Sequence, residues 1–408
     1  MAVCALKSLG GNPLAAELER RGVPFEVVGS AGLRDVVAFR RLLARLRREP
    51  PDLLHAHLAD ATIWGAALAR RLGRPAVATL HVLPGTGAVG GWRGGLRRRV
   101  ELRALARMDA VLAVSGAVRE AWGAAGLPAD RVEVVHNGVD TAAIAAAGGR
   151  RQAMRRRLGI AGEAPLLVTV SVLRRGKGLG TLLAAFERLL AARPEARLAV
   201  VGDGPEEERR RRTAEPLGDR VIWAGYQADV APWLAAADLF VLPSRGDAFP
   251  TALLEAAAAG LPAVASASGG VPEIVADGET GVLVPPARPV ELTAAVEALL
   301  ADPARRAAMG EAARRRAEER FSLAAWGARL EAVYRRVVAE HAAGGAAPAS
   351  GETGAAEPAH GAAGGGDRPL RIAVVEPAAR GGMIHYAHQL CRGLAAAGAE
   401  PTLVTARA

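Results

Sequence analysis

Short apolar runs alternate with stretches of helical periodicity from Val3 to about Val135. The runs include VCAL, FEVVG, DLLHAHL, PAVATLH, AVLAVS and RVEVV, and between them lie segments such as VVAFRRLLARLRRE and ATIWGAALARRL. Apolar residues three and four apart indicate helices, and strands that alternate with helices indicate βαβ units and a parallel sheet. The pattern therefore predicts an α/β domain over residues 1–155.

The same alternation resumes after a pause and continues to about residue 325. Its apolar runs are PLLVTVSVL, RLAVVGDGP, LFVLPSR, PAVASAS and GVLVPP. We predict a second doubly wound domain over residues 156–325 and a closing helix over residues 326–341. Two Rossmann-like domains facing each other leave a cleft at the C-terminal ends of their strands, where such sheets bind ligands.

The composition changes after His341. Residues 342–369 are dominated by Ala, Gly and Pro and cannot bury enough apolar surface to fold, so we predict a flexible linker. Residues 370–408 then show a strand, a Gly-Gly loop, an amphipathic helix and a second strand, PTLVTA. This segment resembles the opening unit of a domain like the first one.

Composition excludes several classes of protein. With 408 residues, half of them apolar, the chain has enough material for two cores. Its two cysteines, Cys4 and Cys391, form neither a metal-binding spacing nor a disulfide framework, which fits a reducing compartment. We see neither a run of about 18 apolar residues nor a signal-peptide pattern, so we expect a cytoplasmic protein.

The net charge of +10 raises the question of an anionic partner. The excess lies in helix-like runs such as GWRGGLRRRVELRALAR, residues 91–107, with almost no aromatic residues between the cations, which disfavours a nucleic-acid binder. Solvated helix faces explain most of the charge. Peripheral contact with anionic lipid at the inner face of the membrane is the alternative for residues 91–107.

Lys177 is one of two lysines in a chain with fifty arginines. It lies in SVLRRGKGLG, where an apolar run enters a turn with three glycines before a helix that we expect to begin near Thr181. Glycines let the backbone approach a ligand, and a helix N-terminus favours anions. Arg174 and Lys177 add two cations, so the turn is a candidate phosphate site, with an ordinary solvated turn as the alternative.

Asp247 and Glu255 form a second candidate group in SRGDAFPTALLEAAAAGLP. Their spacing of eight residues, about two helical turns, predicts that both carboxylates face one edge of the cleft. Carboxylates accept hydrogen bonds from hydroxyl groups, which suits ribose or sugar recognition. A helix-dipole partner and a surface glutamate are the alternative.

Histidines end two apolar runs, His55 and His57 in LLHAHL and His81 in ATLH. Strand-end histidines in an α/β cleft can bind metal, exchange protons or fill space. No carboxylate or cysteine set accompanies them, so we expect no metal site.

Together, HNGVD at 136–140, LRRGKGLGTLLAAF, VVGDGP at 200–205 and the block from Asp247 to Pro286 resemble the retaining glycosyltransferases of family 4. The resemblance implies the GT-B fold of two Rossmann-like domains. It also implies transfer of a sugar from a nucleotide-activated donor, expected to be UDP-linked, to a hydroxyl group of an acceptor. The expected reaction uses neither a cofactor nor a metal ion.

The resemblance also implies roles for individual residues. Arg174 and Lys177 are expected on the diphosphate, Asp247 on the donor sugar, Glu255 on the ribose, and His57 on the acceptor side near the anomeric centre. Arg174 takes the arginine role because Val172 stands at the commonest family position. Asp247 is one methylene shorter than the family glutamate. The remaining expected donor contacts are Gly178, Ala248, Phe249, Pro250 and Thr251.

The first domain departs from the family by lacking its opening strand–helix unit, whereas residues 370–406 resemble that unit. The tail can begin a second, interrupted glycosyltransferase, complete this sheet in a permuted order, or complete a neighbouring molecule; the tandem fusion is the favoured hypothesis. The alternatives for function are a catalytically incomplete nucleotide-binding fragment of such a fusion and a GT-B nucleotide-sugar epimerase.

Overall fold

The structure is a computed structural model. It describes residues 3–7, 25–27, 32–84, 92–160, 162–344, 369–376, 389–390, 392–394 and 400–407. The chain divides into two compact units: the first comprises Met1–Thr79, Val89–Val111 and Gly327–Ala408, and the second comprises Leu80–Ala88 and Leu112–Trp326. The predicted linker lies almost wholly outside the described residues.

Strands and helices alternate along the chain. The N-terminal part contains β1 (Val3–Lys7), β2 (Phe25–Val27), α1 (Val36–Arg48), β3 (Leu53–His57), α2 (Leu58–Leu72), β4 (Ala76–Leu80), α3 (Trp92–Leu105), β5 (Ala110–Ala113), α4 (Gly116–Ala124) and β6 (Val132–Val134). The next part contains α5 (Thr141–Ala145), α6 (Arg151–Arg157), β7 (Leu166–Val170), α7 (Leu179–Ala192), β8 (Arg197–Val201), α8 (Glu207–Ala214), β9 (Val221–Gly225), α9 (Ala231–Ala236) and β10 (Leu239–Leu242). The C-terminal part contains α10 (Thr251–Ala258), β11 (Ala263–Ser266), α11 (Val271–Ile274), β12 (Gly281–Val284), α12 (Pro289–Ala301), α13 (Pro303–Phe321), α14 (Leu323–Gly344), β13 (Arg371–Glu376) and β14 (Glu400–Arg407).

The strands form two sheets with parallel pairing. The first has the order β1-β2-β14-β13-β3-β4-β5-β6, with β1 and β14 also paired, and the second has the order β12-β11-β10-β7-β8-β9. Register is regular at the centre of the second sheet, where Val168 lies opposite Ala199. Two Rossmann-like α/β domains with parallel sheets confirm the predicted fold class.

The central strands of the second sheet are buried on both faces, which explains their continuous apolar runs. Leu198, Ala199 and Val200 of β8 are all 0% exposed, and α7 packs its apolar face onto the sheet through Leu182 and Phe186. This core holds the ends of β7 and β10 in fixed positions.

The tail strands lie in the sheet of the first unit. β13 pairs with β3, with Val374 opposite His55, and β14 pairs with both β13 and β1. Gly327 of α14 passes so close to the tail that a Cβ on it would lie 2.2 Å from the Gly393 carbonyl oxygen. Of the three arrangements that the sequence leaves open, the structure therefore shows the permuted one. The tandem fusion stays a hypothesis about the origin of the tail.

Candidate functional site

Strand order reverses in the second sheet between β7 and β10. Successive strands leave β7 in one direction through β8 and β9, and leave β10 in the other through β11 and β12. Ligands of doubly wound sheets bind at such a switch point, beyond the carboxyl ends of the two central strands. The loops after β7 and β10 are the two segments that the sequence singled out.

The turn after β7 is docked on the loop after β10. Arg175–Lys177 form one 3-10 turn, and Gly178 follows with φ of 70°. A Cβ on Gly178 would lie 1.9 Å from the Pro243 carbonyl oxygen, and the Arg245 amide donates to the Gly176 carbonyl at 2.9 Å. Only glycine therefore fits at position 178, and α7 begins directly after it, two residues before the predicted start.

Lys177 and Asp247 meet at this point. The lysine Nζ lies 2.8 Å from Oδ1 and 2.7 Å from Oδ2 of Asp247. The two side chains are 14% and 12% exposed, so the ion pair is largely shielded from water. Arg174 is exposed at the start of the same turn. The structure thus brings together the predicted phosphate cation and the predicted sugar-binding carboxylate.

The spacing argument for Asp247 and Glu255 is wrong in its geometry. Helix α10 begins only at Thr251, so Asp247 lies in the preceding loop and the two carboxylates are not two turns apart on one helix. Pro250 stands immediately before the helix with extended backbone, φ of −73° and ψ of 111°. Glu255 is half-buried on α10.

The loop that carries Asp247 is held from two sides. The Gly270 amide donates to the Asp247 carbonyl at 2.8 Å, and a Cβ on Gly269 would lie 1.9 Å from that carbonyl oxygen. The Ser115 hydroxyl donates to the carbonyl of Ala248 at 2.7 Å. These contacts fix the backbone of the loop, and Lys177 holds the Asp247 side chain.

Phe249 packs inside the second unit. Its ring is 5% exposed and stacks on His136 with centroids 4.9 Å apart and planes 7° from parallel. The phenyl ring is therefore a packing group, and any donor contact from this residue is made by its backbone. The expected donor contacts of Ala248, Phe249, Pro250 and Thr251 stay predictions.

Glu273 is a residue that sequence reasoning missed. It accepts hydrogen bonds from the amides of Gly116 and Ala117, at 2.9 and 3.1 Å, and from His136 Nε2 at 2.8 Å. Burial raises the pKa of Glu273, but the Gly116 amide, His136 and the Ala117 amide outweigh it, and the net pKa is lowered. In the sequence Glu273 is visible only as the single acidic residue of GVPEIV, and no neighbouring motif indicates that it contacts α4.

Arg210 is a further cation beside the turn that the sequence did not reveal. A Cβ on Gly180 would lie 2.4 Å from its Nη1, so the guanidinium covers the first turn of α7. Burial, with repulsion from Arg209, lowers the pKa of Arg210, although Glu206 opposes the shift. The positive character of this end of α7 therefore exceeds that of Arg174 and Lys177 alone.

The histidines of the first unit lie at the end of β3, as predicted. His55 is a structural residue, because its ring nitrogens bond to the Tyr334 hydroxyl at 2.6 Å and the Thr79 hydroxyl at 2.7 Å. His57 is fully buried with its ring 4.1 Å from that of His55, and Leu58 follows with φ of 66°. The acceptor-side role of His57 stays a prediction.

His81, in the second unit, is buried and electrically neutral at ordinary pH. Burial lowers its pKa to about 3. In the described part of the chain no cluster of three or more His, Cys, Asp or Glu residues is arranged to hold a metal ion. Among the helices of the described ranges, none has the length and apolar character needed to cross a membrane.

Two family profiles match the chain. The one described as "Glycosyl transferases group 1" matches residues 150–316, and the one described as "Glycosyltransferase Family 4" matches residues 3–143. The GDP-mannose-dependent alpha-(1-6)-phosphatidylinositol monomannoside mannosyltransferase of Mycolicibacterium smegmatis is 38% identical over 291 residues, which cover 66% of this chain and 75% of that relative. Alpha-D-kanosaminyltransferase of Streptomyces kanamyceticus is 29% identical over 339 residues, covering 80% and 87% of the two chains.

Solved structures show the same architecture. The crystal structure of the Anabaena protein HepE in complex with UDP and glucose superposes with a TM-score of 0.70 at 24% identity, covering 78% of this chain and 88% of HepE. A likeness at that level of identity concerns the fold.

Proposed function

The chain belongs to the group 1 glycosyltransferases, and from that premise we propose that it transfers a sugar from a nucleoside diphosphate sugar to a hydroxyl group of an acceptor, with retention at the anomeric carbon. One observation carries the proposal. Lys177 and Asp247 meet at the switch point of the second sheet, next to the glycine turn that opens α7. A cation for phosphate and an acceptor for sugar hydroxyls are thus adjacent.

The proposed chemistry is electrostatic. As the sugar leaves the nucleoside diphosphate, negative charge grows on the leaving phosphate, and oriented cations stabilise it. Lys177 and Arg174 supply those cations, and the N-terminal end of α7 adds its dipole. The acceptor hydroxyl then attacks the same face of the sugar and passes its proton to an oxygen of the leaving phosphate. Because side chains provide the charge, the proposal needs no metal ion.

The remaining residues bind and orient. Glu255 accepts from the ribose hydroxyls, and Asp247 accepts from the donor sugar. His57 is assigned to the acceptor side, and the left-handed backbone of Leu58 directly after it supports this, because strained backbone concentrates at functional sites.

We further propose peripheral contact with anionic lipid through the first unit. A groove of about 490 Å³ between α2 and α3 is bordered by four arginines over an apolar floor, and none of the described residues that line it is acidic. The arginines are Arg70, Arg71, Arg103 and Arg107. The predicted basic run at residues 91–107 supplies one of its walls. Vesicle co-sedimentation at low salt tests the contact: binding to anionic vesicles should disappear in the Arg103→Glu/Arg107→Glu variant.

Nucleotide titration followed by turnover tests the enzymatic proposal. UDP and GDP are titrated into the full chain, and UDP-glucose and GDP-mannose are then offered with hydroxyl acceptors while release of nucleoside diphosphate is measured. Lys177→Met should weaken nucleotide binding by at least about tenfold, the effect of losing one charge-assisted contact.

Arg188→Met is the matched control, since Arg188 is exposed on the same helix α7. It removes one positive charge away from the turn and should leave the dissociation constants unchanged within about twofold. Equal losses in the two variants, or absence of any nucleotide binding, would contradict the proposed donor site.

A further inference from the structure

We infer that Asp247 competes with the donor phosphates for Lys177, so that the site selects a nucleoside diphosphate carrying a sugar over the bare nucleoside diphosphate. The inference rests on the proposed function, because it concerns the same donor site. Both carboxylate oxygens of Asp247 lie within 2.8 Å of the lysine Nζ. In this arrangement the cation needed by the phosphates is already neutralised by a side chain of the protein.

Neither partner can withdraw by moving its backbone. Gly178, next to Lys177, is packed against the Pro243 carbonyl, where a Cβ would lie at 1.9 Å. The Asp247 carbonyl is held by the Gly270 amide at 2.8 Å and is packed equally closely against Gly269. When a phosphate takes Lys177, only side-chain rotation can separate the pair, and the carboxylate stays close to the incoming negative charge.

The phosphates of a bare nucleoside diphosphate offer Asp247 no hydrogen-bond donor to replace the Lys177 ammonium. They accept hydrogen bonds but do not donate them, so a largely shielded carboxylate loses its counter-ion and faces a second anion. Removing one partner of a shielded ion pair is costly for the group that remains. Repulsion between the Asp247 carboxylate and the phosphates therefore weakens the binding of such a ligand.

A sugar changes this balance. Its hydroxyl groups are donors, and an ionised carboxylate is purely an acceptor with room for several such bonds. Asp247 then exchanges the ammonium for sugar hydroxyls, and Lys177 is released to the phosphates. After the sugar has moved to the acceptor, Asp247 regains Lys177 and promotes release of the nucleoside diphosphate.

Calorimetric titration of bare nucleotides and nucleotide sugars, without acceptor, tests the competition. The ligands are UDP, GDP, UDP-glucose and GDP-mannose, and the proteins are wild type, Asp247→Asn and the control Glu318→Gln. Asparagine keeps the shape of aspartate and removes its charge. Asp247→Asn should bind the bare nucleoside diphosphate about tenfold more tightly, as expected for one released charge-assisted contact, and the nucleotide sugar no more tightly.

The control removes the charge of a carboxylate in the same unit that is likewise paired with a cation, in this case an arginine. Glu318 lies 2.6 Å from Arg314 on α13 and is 42% exposed. Glu318→Gln should change neither dissociation constant by more than about twofold. Tightening in this variant equal to that in Asp247→Asn would show a general charge effect and overturn the inference.

A double-mutant cycle with Lys177→Met supplies the decisive readout. Asp247→Asn should no longer tighten binding of the bare nucleotide once Lys177 is absent, because nothing remains to compete for. Persistent tightening in that background, or unchanged or weaker binding by Asp247→Asn alone, would overturn the competition while leaving the donor site in place. A wild-type chain that binds none of the four ligands would overturn the proposed function and this inference with it.

Discussion

Gly178→Ala is the sharpest test of the phosphate turn, because the methyl group it adds has no space. Gly178 has φ of 70°, and its Cβ would lie 1.9 Å from the Pro243 carbonyl oxygen. Cβ atoms essentially never approach an oxygen within 3.0 Å, so the turn and the end of β10 must move apart by at least about 1 Å.

The expected cost follows from two separate effects. Placing an L-residue in the left-handed region costs about 1–2 kcal/mol, and forcing extra volume into a packed site costs about 1–3 kcal/mol. We therefore expect Gly178→Ala to lower the free energy of unfolding by about 2–5 kcal/mol, a large share of the roughly 5–15 kcal/mol typical of a folded domain. Nucleotide affinity should fall as well, because Lys177 moves with the turn.

The chain offers a matched control two residues earlier. Gly176 lies in the same turn, but a Cβ there would meet nothing within 4 Å. Urea denaturation and nucleotide titration of Gly178→Ala and Gly176→Ala should show a loss in the first variant and a change within about 0.5 kcal/mol in the second. If both variants lose the same stability, the argument that close packing of Gly178 against β10 shapes the site is refuted.

Three further predictions concern the framework around the site. Asp238 accepts from Arg151 at 2.7 Å and from the Leu166 amide at 2.8 Å, so Asp238→Ala should cost about 3 kcal/mol in urea denaturation. Asp219→Ala, at an 83% exposed carboxylate 3.3 Å from Arg197, should cost less than about 1 kcal/mol, and equal costs would contradict the burial argument. The pKa of Glu273 is lowered below its usual 4.5, so its stabilisation should be complete above that pH and lost as pH falls through the folded-state pKa. The stability difference between wild type and Glu273→Gln should therefore shrink in acid, and a difference independent of pH would count against this. Val374 is 0% exposed in β13, so Val374→Asp should speed amide hydrogen exchange in β3 by at least about tenfold, whereas unchanged exchange would show that the tail does not support this sheet.

The sequence was sufficient for the local parts of the site. Alternation of apolar runs and helical periodicity predicted the α/β class, and the positions of Lys177 and Asp247 directly after apolar runs placed them at strand ends. What the sequence does not encode locally is sheet order. The pairing of β7 with β10 is a feature of the tertiary structure. It explains why two residues seventy positions apart form an ion pair.

Two sets of contacts that the sequence did not reveal, those of Glu273 and Ser115, share one property. Glu273 acts on Gly116 and His136, and Ser115 holds Ala248, so each contact joins segments separated by more than a hundred residues. Periodicity and motif spacing report neighbours along one element and say nothing about such pairs. The two-turn argument for Asp247 and Glu255 failed for a related reason, because it assumed a helix across residues that form a loop before Thr251.

The position of the tail strands has a consequence for how the protein is made. Nearly all residues of the second unit lie in one continuous segment, Leu112–Trp326, so they are synthesised one after another. β3, by contrast, is finished long before its neighbour β13, which begins at Arg371. At synthesis rates of about 5–20 residues per second, roughly fifteen to sixty seconds pass between the synthesis of Leu53–His57 and the synthesis of β13. During that interval one edge of an apolar strand has no partner from the tail, and an unpaired strand edge can pair with other chains and promote aggregation.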